Sequence, residues 1–339
     1  MEDKRLNRVF DQVKLSRERE EAMLADLQRE AKEKRPMRKN RKLTAIFSVA
    51  AAMLLTLCAF AIAAAVEPEL LSYLGAEPEN ETLLYPSAVP LNMEKTSNGS
   101  TLRLRQVLAD RCNVMLLMDL TAPEGTVLSE DFYKMNDFQW AFGPNGKEIN
   151  SSWGTGWILM EDEDPADNKL TLLMTLQSSS HDVNLLGAKI KFRFEGLFKD
   201  NICEQEVLQG SWNFTVRLSE EDSGIFCPVS LPLAIDGQTV YLTSVYVSPI
   251  SVMVDLAEGE DSLREVKDTI WEDKERGVAL LAEDGTRVEM QEGEYSLVLS
   301  YYSLDREGET GRLLFSPEKI IDPATIKAVE LFGQTVRLS

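Results

Sequence analysis

The single histidine of the chain, His181, is the first candidate for chemistry, because serine precedes it and aspartate follows it. Serine, histidine and aspartate are the residue types of a nucleophilic hydrolase, in which each side chain hydrogen-bonds the next. Neighbours in one short run cannot form that line of hydrogen bonds, so a triad would need distant partners. We therefore predict that His181 lies in a solvated loop, and we expect no catalytic residues and no enzymatic activity.

Cysteine and histidine spacing predicts neither a metal centre nor a disulfide framework. The four cysteines show none of the ligand spacings that are typical of zinc, haem or redox sites. Cys58 lies in an apolar run, which leaves the odd set Cys112, Cys203 and Cys227. One disulfide, Cys203–Cys227, stays open as an alternative.

The acidic run at 161–168 is the one candidate for cation binding. Clustered carboxylates on a loop can bind calcium outside a cell. Pro165 and Ala166 interrupt the alternating ligand spacing, however, and no glycine stands at the turn that such a loop needs. We predict a solvated acidic loop, with no metal and no cofactor.

Three tryptophans, Trp140, Trp153 and Trp157, are the remaining candidates for a binding site. Exposed aromatic rings on one surface could stack on sugars. More often, large aromatic side chains fill the core of a β-sandwich or its rim. The core interpretation is favoured, and the sugar platform remains the alternative.

Charge is distributed very unevenly along the sequence that must position these residues. Residues 1–42 have a net charge of +5, whereas residues 43–339 have a net charge of −25. A change of sign across an apolar segment indicates that its two sides meet different surroundings. Because a region of −25 repels polyphosphate, we predict that nucleic acid is not a partner.

The apolar run Leu43–Val66 predicts a transmembrane helix. Its 24 residues contain no charged side chain, and as a helix they extend about 36 Å, enough to cross a bilayer with some tilt. A dense basic block at 32–42 precedes the run and acidic residues follow it, which places the N-terminus in the cytoplasm. A cleaved signal peptide is the alternative, but 42 residues before the run and its length favour a retained anchor.

Two short amphipathic helices are predicted on the cytoplasmic side, within residues 1–42. Their apolar side chains recur at helical spacing, and the two helices are too small to bury these faces against each other. The faces therefore need a partner: another copy, the membrane surface or a cytoplasmic protein; a frayed, solvated helix pair is the alternative. The predicted partner-binding residues are Leu6, Val9, Phe10, Val13, Met23, Leu24 and Leu27.

Beyond the anchor, the hydrophobic period changes from 3.6 to 2, which predicts a mainly β fold of two antiparallel immunoglobulin-like sandwich domains. Alternating runs occur at 101–108, 113–120, 189–195, 212–218, 239–247, 251–256 and 295–301. Four Asx-Gly pairs at 98–99, 145–146, 236–237 and 284–285 predict type I′ hairpin turns. One helix is predicted at 262–275 from the capping box of Ser262 and Glu265.

The predicted domain organisation follows from these patterns. The acidic, turn-prone run at 219–224 is the best boundary between the two sandwiches. The predicted segments are a cytoplasmic helical segment at 1–42, the transmembrane helix at 43–66, a connector at 67–91, and sandwiches at 92–218 and 225–339.

Two segments after the anchor carry a resemblance to a known family. Residues 67–74 (EPELLSYL), and residues 99–110 (GSTLRLRQVLAD) followed by 114–123, resemble a membrane-anchored, anti-sigma-factor-like family of Firmicutes, catalogued as domain of unknown function 4179. The likeness extends over residues 1–128, and the C-terminal half looks like the immunoglobulin-like domain that often follows in such proteins. The resemblance implies one membrane span, an outer β domain and restraint of a cytoplasmic sigma factor. Residues 1–42 contain no histidine or cysteine, so a zinc-binding anti-sigma motif is missing.

The leading hypothesis is therefore a single-pass cell-membrane regulatory protein. Its outer β region would sense or bind an unknown extracytoplasmic ligand or envelope component, and its cytoplasmic helices would engage a sigma factor. Its anchor would contact the lipid bilayer. The alternative is a structural or adhesive envelope protein, in which the cytoplasmic stub only sets the topology.

Overall fold

The computed structural model describes residues 66–338, except for 152, 162–163, 165–166, 179, 181–182, 236, 259–262, 264–277, 301–309 and 318. Within this described part, no helix is long and apolar enough to cross a membrane. The anchor at 43–66 (apart from Val66), the partner-binding residues from Leu6 to Leu27, His181 and all of the helix at 262–275 except Leu263 lie outside it. These stay predictions.

The described chain is mainly β, and its paired strands are antiparallel, as the period-2 pattern predicts. A short helix α1 (Pro68–Tyr73) and a 3-10 turn (Glu81–Leu83) precede the first β region. That region comprises β1 (Ala88–Ser97), β2 (Ser100–Ala109), β3 (Asn113–Thr121), β4 (Lys134–Phe142), β5 (Glu148–Ile149), β6 (Trp153–Leu159), β7 (Lys169–Ser178), β8 (Lys189–Phe198) and β9 (Glu206–Arg217).

The first β region consists of a five-stranded sheet, β1-β2-β3-β7-β6, and a four-stranded sheet, β5-β4-β8-β9. Both sheets contribute to one buried core: Leu116 and Met174 come from the first sheet, and Phe192 and Trp212 come from the second. In β8, Ile190, Phe192 and Phe194 are buried whereas the lysines and arginine between them are exposed, as their alternation predicts.

The second β region comprises β10 (Ile225–Ile235), β11 (Gln238–Val247), β12 (Val252–Ala257), β13 (Val278–Ala282), β14 (Arg287–Ser300), β15 (Thr310–Pro317), β16 (Ile326–Leu331) and β17 (Gln334–Arg337). Its strand order is β10-β11-β12-β15-β14-β13-β16-β17. The long strand β14 pairs with β13 near its start and with β15 near its end, so it joins two sheets. Leu263, from the predicted helix, is buried in the core of this region.

Hairpin turns occur at the Asx-Gly pairs. Both residues are described in three of the four pairs, and only one of these three turns is of the predicted type I′. Asn98 and Gly99 have φ values of 50° and 81°, as a type I′ turn requires. At Asn145-Gly146 and Asp284-Gly285 only the glycine has positive φ, and these hairpins have three-residue loops. The prediction of type I′ is wrong for these two turns. In each of them the Asx side-chain oxygen accepts a hydrogen bond from the backbone N–H two residues on, which favours the three-residue loop.

One turn has no sequence signal. Phe332 and Gly333 connect β16 to β17 with φ values of 49° and 77°. Pattern reasoning misses such a turn because a bulky residue is rarely found at positive φ. Phe332 packs against the core of the second region, and this contact offsets the unfavourable backbone conformation.

Candidate functional site

Helix α1 follows the predicted anchor directly and is packed against both β regions. Pro68 starts the helix, Gly75 at a φ of +57° follows its end, and Leu70 is fully buried between them. Leu70 belongs to one buried cluster with Leu117 of the first β region and Ile250 and Ile320 of the second; we call it the α1 cluster. Helix α1, the first element after the predicted anchor, is therefore held by buried contacts with both β regions.

Arg105 on β2 ties the start of α1 to the first β region. Its guanidinium donates to Glu67 at 2.5 Å, to Glu69 at 2.8 and 3.0 Å, and to Asp119 at 3.2 Å. The backbone N–H of Glu67 also donates to the side chain of Gln106 at 2.8 Å. Burial is the largest single influence and opposes ionisation of Glu69, but the hydrogen bonds from Arg105, a backbone hydrogen bond and the charge of Arg105 together outweigh it and lower the pKa of Glu69. One cation thus holds three carboxylates, two of them at the helix start.

A buried aspartate, Asp110, joins the two β regions directly. It lies in the turn between β2 and β3, and its Oδ1 accepts the backbone N–H groups of Cys112 at 2.9 Å and Asn113 at 2.8 Å. Its Oδ2 accepts the hydroxyls of Ser248 at 2.6 Å and Ser251 at 2.5 Å, which lie between β11 and β12. Asp110 is 1% exposed and both serines are 0% exposed. We call these residues the Asp110 junction.

Beside the Asp110 junction, the link between the two regions is fixed by Asp222. The carboxylate of Asp222 accepts from Arg111 at 2.7 Å and from the hydroxyl of Tyr246 at 2.8 Å. The Arg111 guanidinium also lies over the rings of Tyr246 and Phe226, at 5.4 and 4.8 Å from their centroids. Burial, together with the nearby aspartates, raises the pKa of Tyr246, so this hydroxyl remains a donor at physiological pH.

A second buried contact between the regions involves Arg312 on β15. Its guanidinium donates to Asp255 at 2.8 and 3.2 Å, and these side chains are only 2% and 3% exposed. Asp255 also accepts the hydroxyl of Ser244 at 2.7 Å. A further guanidinium N–H of Arg312 reaches the carbonyl of Ser180, in the first β region, at 2.7 Å.

The chemistry of this junction favours positioning over reaction. Asp110 uses both oxygens to accept five hydrogen bonds from buried groups, the fifth from the thiol of Cys112 at 3.5 Å. The nearest nucleophile, Cys112, is 0% exposed, and burial, reinforced by Asp110, raises the pKa of its thiol well above the usual value. Among the residues that the structure describes, no group of three or more His, Cys, Asp or Glu is placed to hold a metal ion.

A neutral cleft of about 310 Å³ opens beside α1. Its described lining includes Tyr73 of α1, Gly156 of β6, Thr175 of β7 and Ser316 of β15, and contains no charged side chain. A side chain at position 156 would collide with the cleft wall, because a Cβ there would lie 2.5 Å from the hydroxyl oxygen of Thr175. A small uncharged ligand in this cleft would touch α1 and both β regions.

The three tryptophans do not form one platform. Trp157 is 9% exposed, donates to Asp137 at 3.3 Å and meets the ring of Phe194 edge-on at 5.9 Å. Trp153 also packs against the first core, whereas Trp140 lies on the other sheet and is 44% exposed. The core interpretation is therefore right for Trp153 and Trp157, and Trp140 faces solvent.

The described cysteines are not bonded to one another, so the alternative disulfide Cys203–Cys227 is not formed. We expect a maleimide to label Cys203, which is partly exposed, in the folded protein. Labelling of Cys112 should be at least about 100-fold slower, because a buried thiol reacts only when the structure opens. Mass spectrometry of timed samples measures both rates, and Cys203→Ser provides the control. Equal rates would show that the turn between β2 and β3 is not buried in solution.

Comparisons with known proteins add one distant likeness. No protein-family model and no curated protein matches the chain. Among solved structures, the crystal structure of a conserved domain protein from Bacillus anthracis matches with a TM-score of 0.44 and 15% sequence identity. The match covers 71% of this chain and 75% of that one. A likeness at this level assigns no function, so the candidate site rests on its own geometry.

Proposed function

We propose that the protein is a single-pass membrane regulator of the anti-sigma type. In this proposal, two immunoglobulin-like sandwiches outside the membrane bind an envelope component, and the segment 1–42 holds a sigma factor in the cytoplasm. The change of charge at residue 43 and the apolar run 43–66 support this arrangement. The resemblance of residues 67–128 to the anti-sigma-like family supports it further.

The packing of α1 is the observation that carries the proposal. A tether that only anchors a domain needs no fixed contact with it, and a flexible linker serves that role. Here Leu70 is fully buried, and Arg105 binds both Glu67 and Glu69. Any change in how the two β regions pack would therefore move the first residues after the predicted anchor. A protein that transmits a signal across a membrane needs such a connection between its outer region and its anchor.

Capture of a sigma factor from the cytoplasm tests the proposal. The full chain should co-purify a sigma factor after cross-linking in cells, and the double variant Phe10→Asp, Leu24→Asp should lose it at least about tenfold, because a buried charge opposes apolar docking. A variant with Asp at two polar positions, Asn7→Asp and Gln28→Asp, controls for added charge. Recovery of no sigma factor, with unchanged transcription when the whole protein is deleted, would favour a structural envelope role.

Replacing Arg105 by glutamine should loosen α1 from the first β region. Three carboxylates lose their cation, and hydrogen bonds to charged groups contribute about 1.5 to 3 kcal/mol each before compensation. We expect amide exchange of residues 67–75 to accelerate at least about tenfold. In cells we expect altered output from the sigma-dependent promoter at unchanged protein level.

The matched control is Arg103→Gln on the same strand, because Arg103 is exposed, donates to the side chain of Asn92 at 3.0 Å and makes no salt bridge with the described residues. Acid should reproduce the effect. The lowered pKa of Glu69 means that its contribution is present at neutral pH and lost as the pH falls through that lowered value. Equal exchange rates in the two arginine variants would show that Arg105 does not hold α1 against the first β region.

A further inference from the structure

The outer face of the four-stranded sheet carries an exposed aromatic row beside a cationic row. On β4, Phe138, Trp140 and Phe142 alternate with residues that face the core, and Phe138 and Trp140 are 42% and 44% exposed. On β8, Lys189, Lys191 and Arg193 occupy the exposed positions. We call these six residues the aromatic–cationic face.

The register of the two strands pairs each ring with one cation. Phe138 lies opposite Arg193, Trp140 opposite Lys191 and Phe142 opposite Lys189. Side chains directly opposite each other on one face of an antiparallel pair are in contact distance. The Lys191 ammonium reaches its diagonal neighbour and lies over the ring of Phe142, at 4.9 Å from the centroid. The face is thus one continuous strip and not two separate patches.

The positive charge of this strip is opposite in sign to the net charge of residues 43–339. The next strand, β9, adds Arg217 opposite Lys189 and the uncharged Thr215 and Asn213 opposite Lys191 and Arg193. Arg193 and Arg217 are paired with glutamates at the margin of the face, whereas Lys189 and Lys191 make no salt bridge within the described part of the chain. Residues 43–339 as a whole carry −25. Lys189 and Lys191 are therefore neighbouring cations without a salt bridge to the described residues, in a region that is strongly acidic overall.

We propose that the aromatic–cationic face binds an acidic polysaccharide, with sugar rings stacked on the exposed rings of Phe138 and Trp140 and carboxylates paired with Lys189 and Lys191. A sugar ring has an apolar face of C–H groups that packs on an aromatic ring, and its substituents lie at the ring edge. An acidic sugar stacked on β4 would therefore direct its carboxylate towards β8, one strand spacing or about 4.8 Å away. Two exposed rings beside two neighbouring lysines suit an extended polymer.

The geometry favours this ligand over other polyanions. Proteins that bind a membrane surface insert an amphipathic helix or protruding apolar side chains, whereas these rings lie within a sheet face. An acidic peptide would satisfy the cations and leave the exposed rings without a matching surface. The net charge of −25 disfavours polyanions in general, but at physiological salt it acts over only about 8 Å, so a polyanion whose carboxylates meet Lys189 and Lys191 directly is still attracted at the face.

This inference extends the proposed function by naming the class of outer ligand, and it relies on that function only for the side of the membrane. The test uses the full chain in neutral detergent, with polygalacturonate as probe. Dextran supplies rings without charge, polyglutamate supplies charge without sugar rings, and phosphatidylglycerol vesicles supply an anionic membrane. We expect binding to polygalacturonate, and binding at least about tenfold weaker to each of the others.

Two variants assign the binding to the face. Lys189→Gln with Lys191→Gln should weaken polygalacturonate binding about tenfold and reduce its salt dependence. Trp140→Ala should weaken it by a similar factor through lost stacking. The charge-matched control is Lys169→Gln with Lys327→Gln, two exposed lysines on other sheets, which should leave binding unchanged.

Three results would overturn the proposal. They are equal affinity for polyglutamate, stronger binding to the vesicles than to polygalacturonate, and equal losses in the face variant and its charge-matched control. Polygalacturonate binding is measured directly on the purified chain, so its absence would not bear on sigma-factor capture. Loss of sigma-factor capture would likewise leave polysaccharide binding in place.

Discussion

Replacing Arg312 by alanine is expected to lower the free energy of unfolding by about 3 to 5 kcal/mol, the usual cost of removing one member of a buried ion pair. Arg312 and Asp255 are 2% and 3% exposed, so the remaining carboxylate could not be solvated without local opening. The substitution also removes the donor to the carbonyl of Ser180 in the first β region. Urea unfolding of the detergent-solubilised chain, followed by tryptophan fluorescence, measures the loss.

Arg287→Ala is the matched control for this prediction. Arg287 also lies in a strand of the second β region and pairs with Glu330, but its side chain is 47% exposed. Exposed pairs contribute about 0 to 1 kcal/mol, so this variant should unfold nearly as the wild type does. Equal losses in the two variants would mean that solvent reaches Asp255 in the folded protein.

A double replacement separates the value of the pair from the cost of an orphaned charge. Arg312→Met with Asp255→Leu removes both charges and keeps the buried volume roughly constant. We expect it to be more stable than Arg312→Ala, although the hydroxyl of Ser244 loses its acceptor. If the double variant recovers stability while the regions still pack together, the pair specifies geometry more than it contributes to stability.

The sequence predicts the strands well because one face of most of them is buried. Ile190, Phe192 and Phe194 have to face a core, and the period of two follows from that requirement. Turn type is harder to predict, since it depends on local competition. Asn98 adopts positive φ, whereas at Asn145 and Asp284 a side-chain hydrogen bond to the backbone favours another loop.

The junction was not predicted, because its residues are far apart in the sequence and each has an ordinary local context. Asp110 follows β2 as a turn aspartate would, and Ser248 and Ser251 flank a proline as loop serines often do. A signal was nevertheless present in β12, where Asp255 interrupts the apolar run 252–256. A lone charge in a strand that is buried on both faces requires a partner, and the structure shows that this partner is Arg312. The aromatic–cationic face was partly visible, since Trp140 was a candidate for sugar binding.

Replacing Asp110 by alanine is expected to lower the free energy of unfolding by about 3 kcal/mol or more. Two buried N–H groups and two buried hydroxyls would lose their acceptor, and each buried group without a partner costs about 1 to 3 kcal/mol before relaxation. Asp110→Asn should cost less, about 1 to 2 kcal/mol. Its amide oxygen can still accept from Cys112 and Asn113, whereas its NH₂ group cannot accept from the serine hydroxyls.

The difference between these two variants isolates what Asp110 does for each β region. The N–H contacts shape its own turn, and the hydroxyl contacts join it to the second region, so Asp110→Asn should loosen mainly the second. Amide exchange should therefore accelerate at residues 248–251 and in α1, whose cluster includes Ile250, while exchange at Cys112 changes less. Asp284→Asn is the control, because Asp284 makes a similar turn contact to Thr286 at an exposed site. If Asp110→Asn affects exchange no more than Asp284→Asn does, the contact between the regions does not depend on this carboxylate, and a relay from the second β region to α1 would have to act through apolar packing alone.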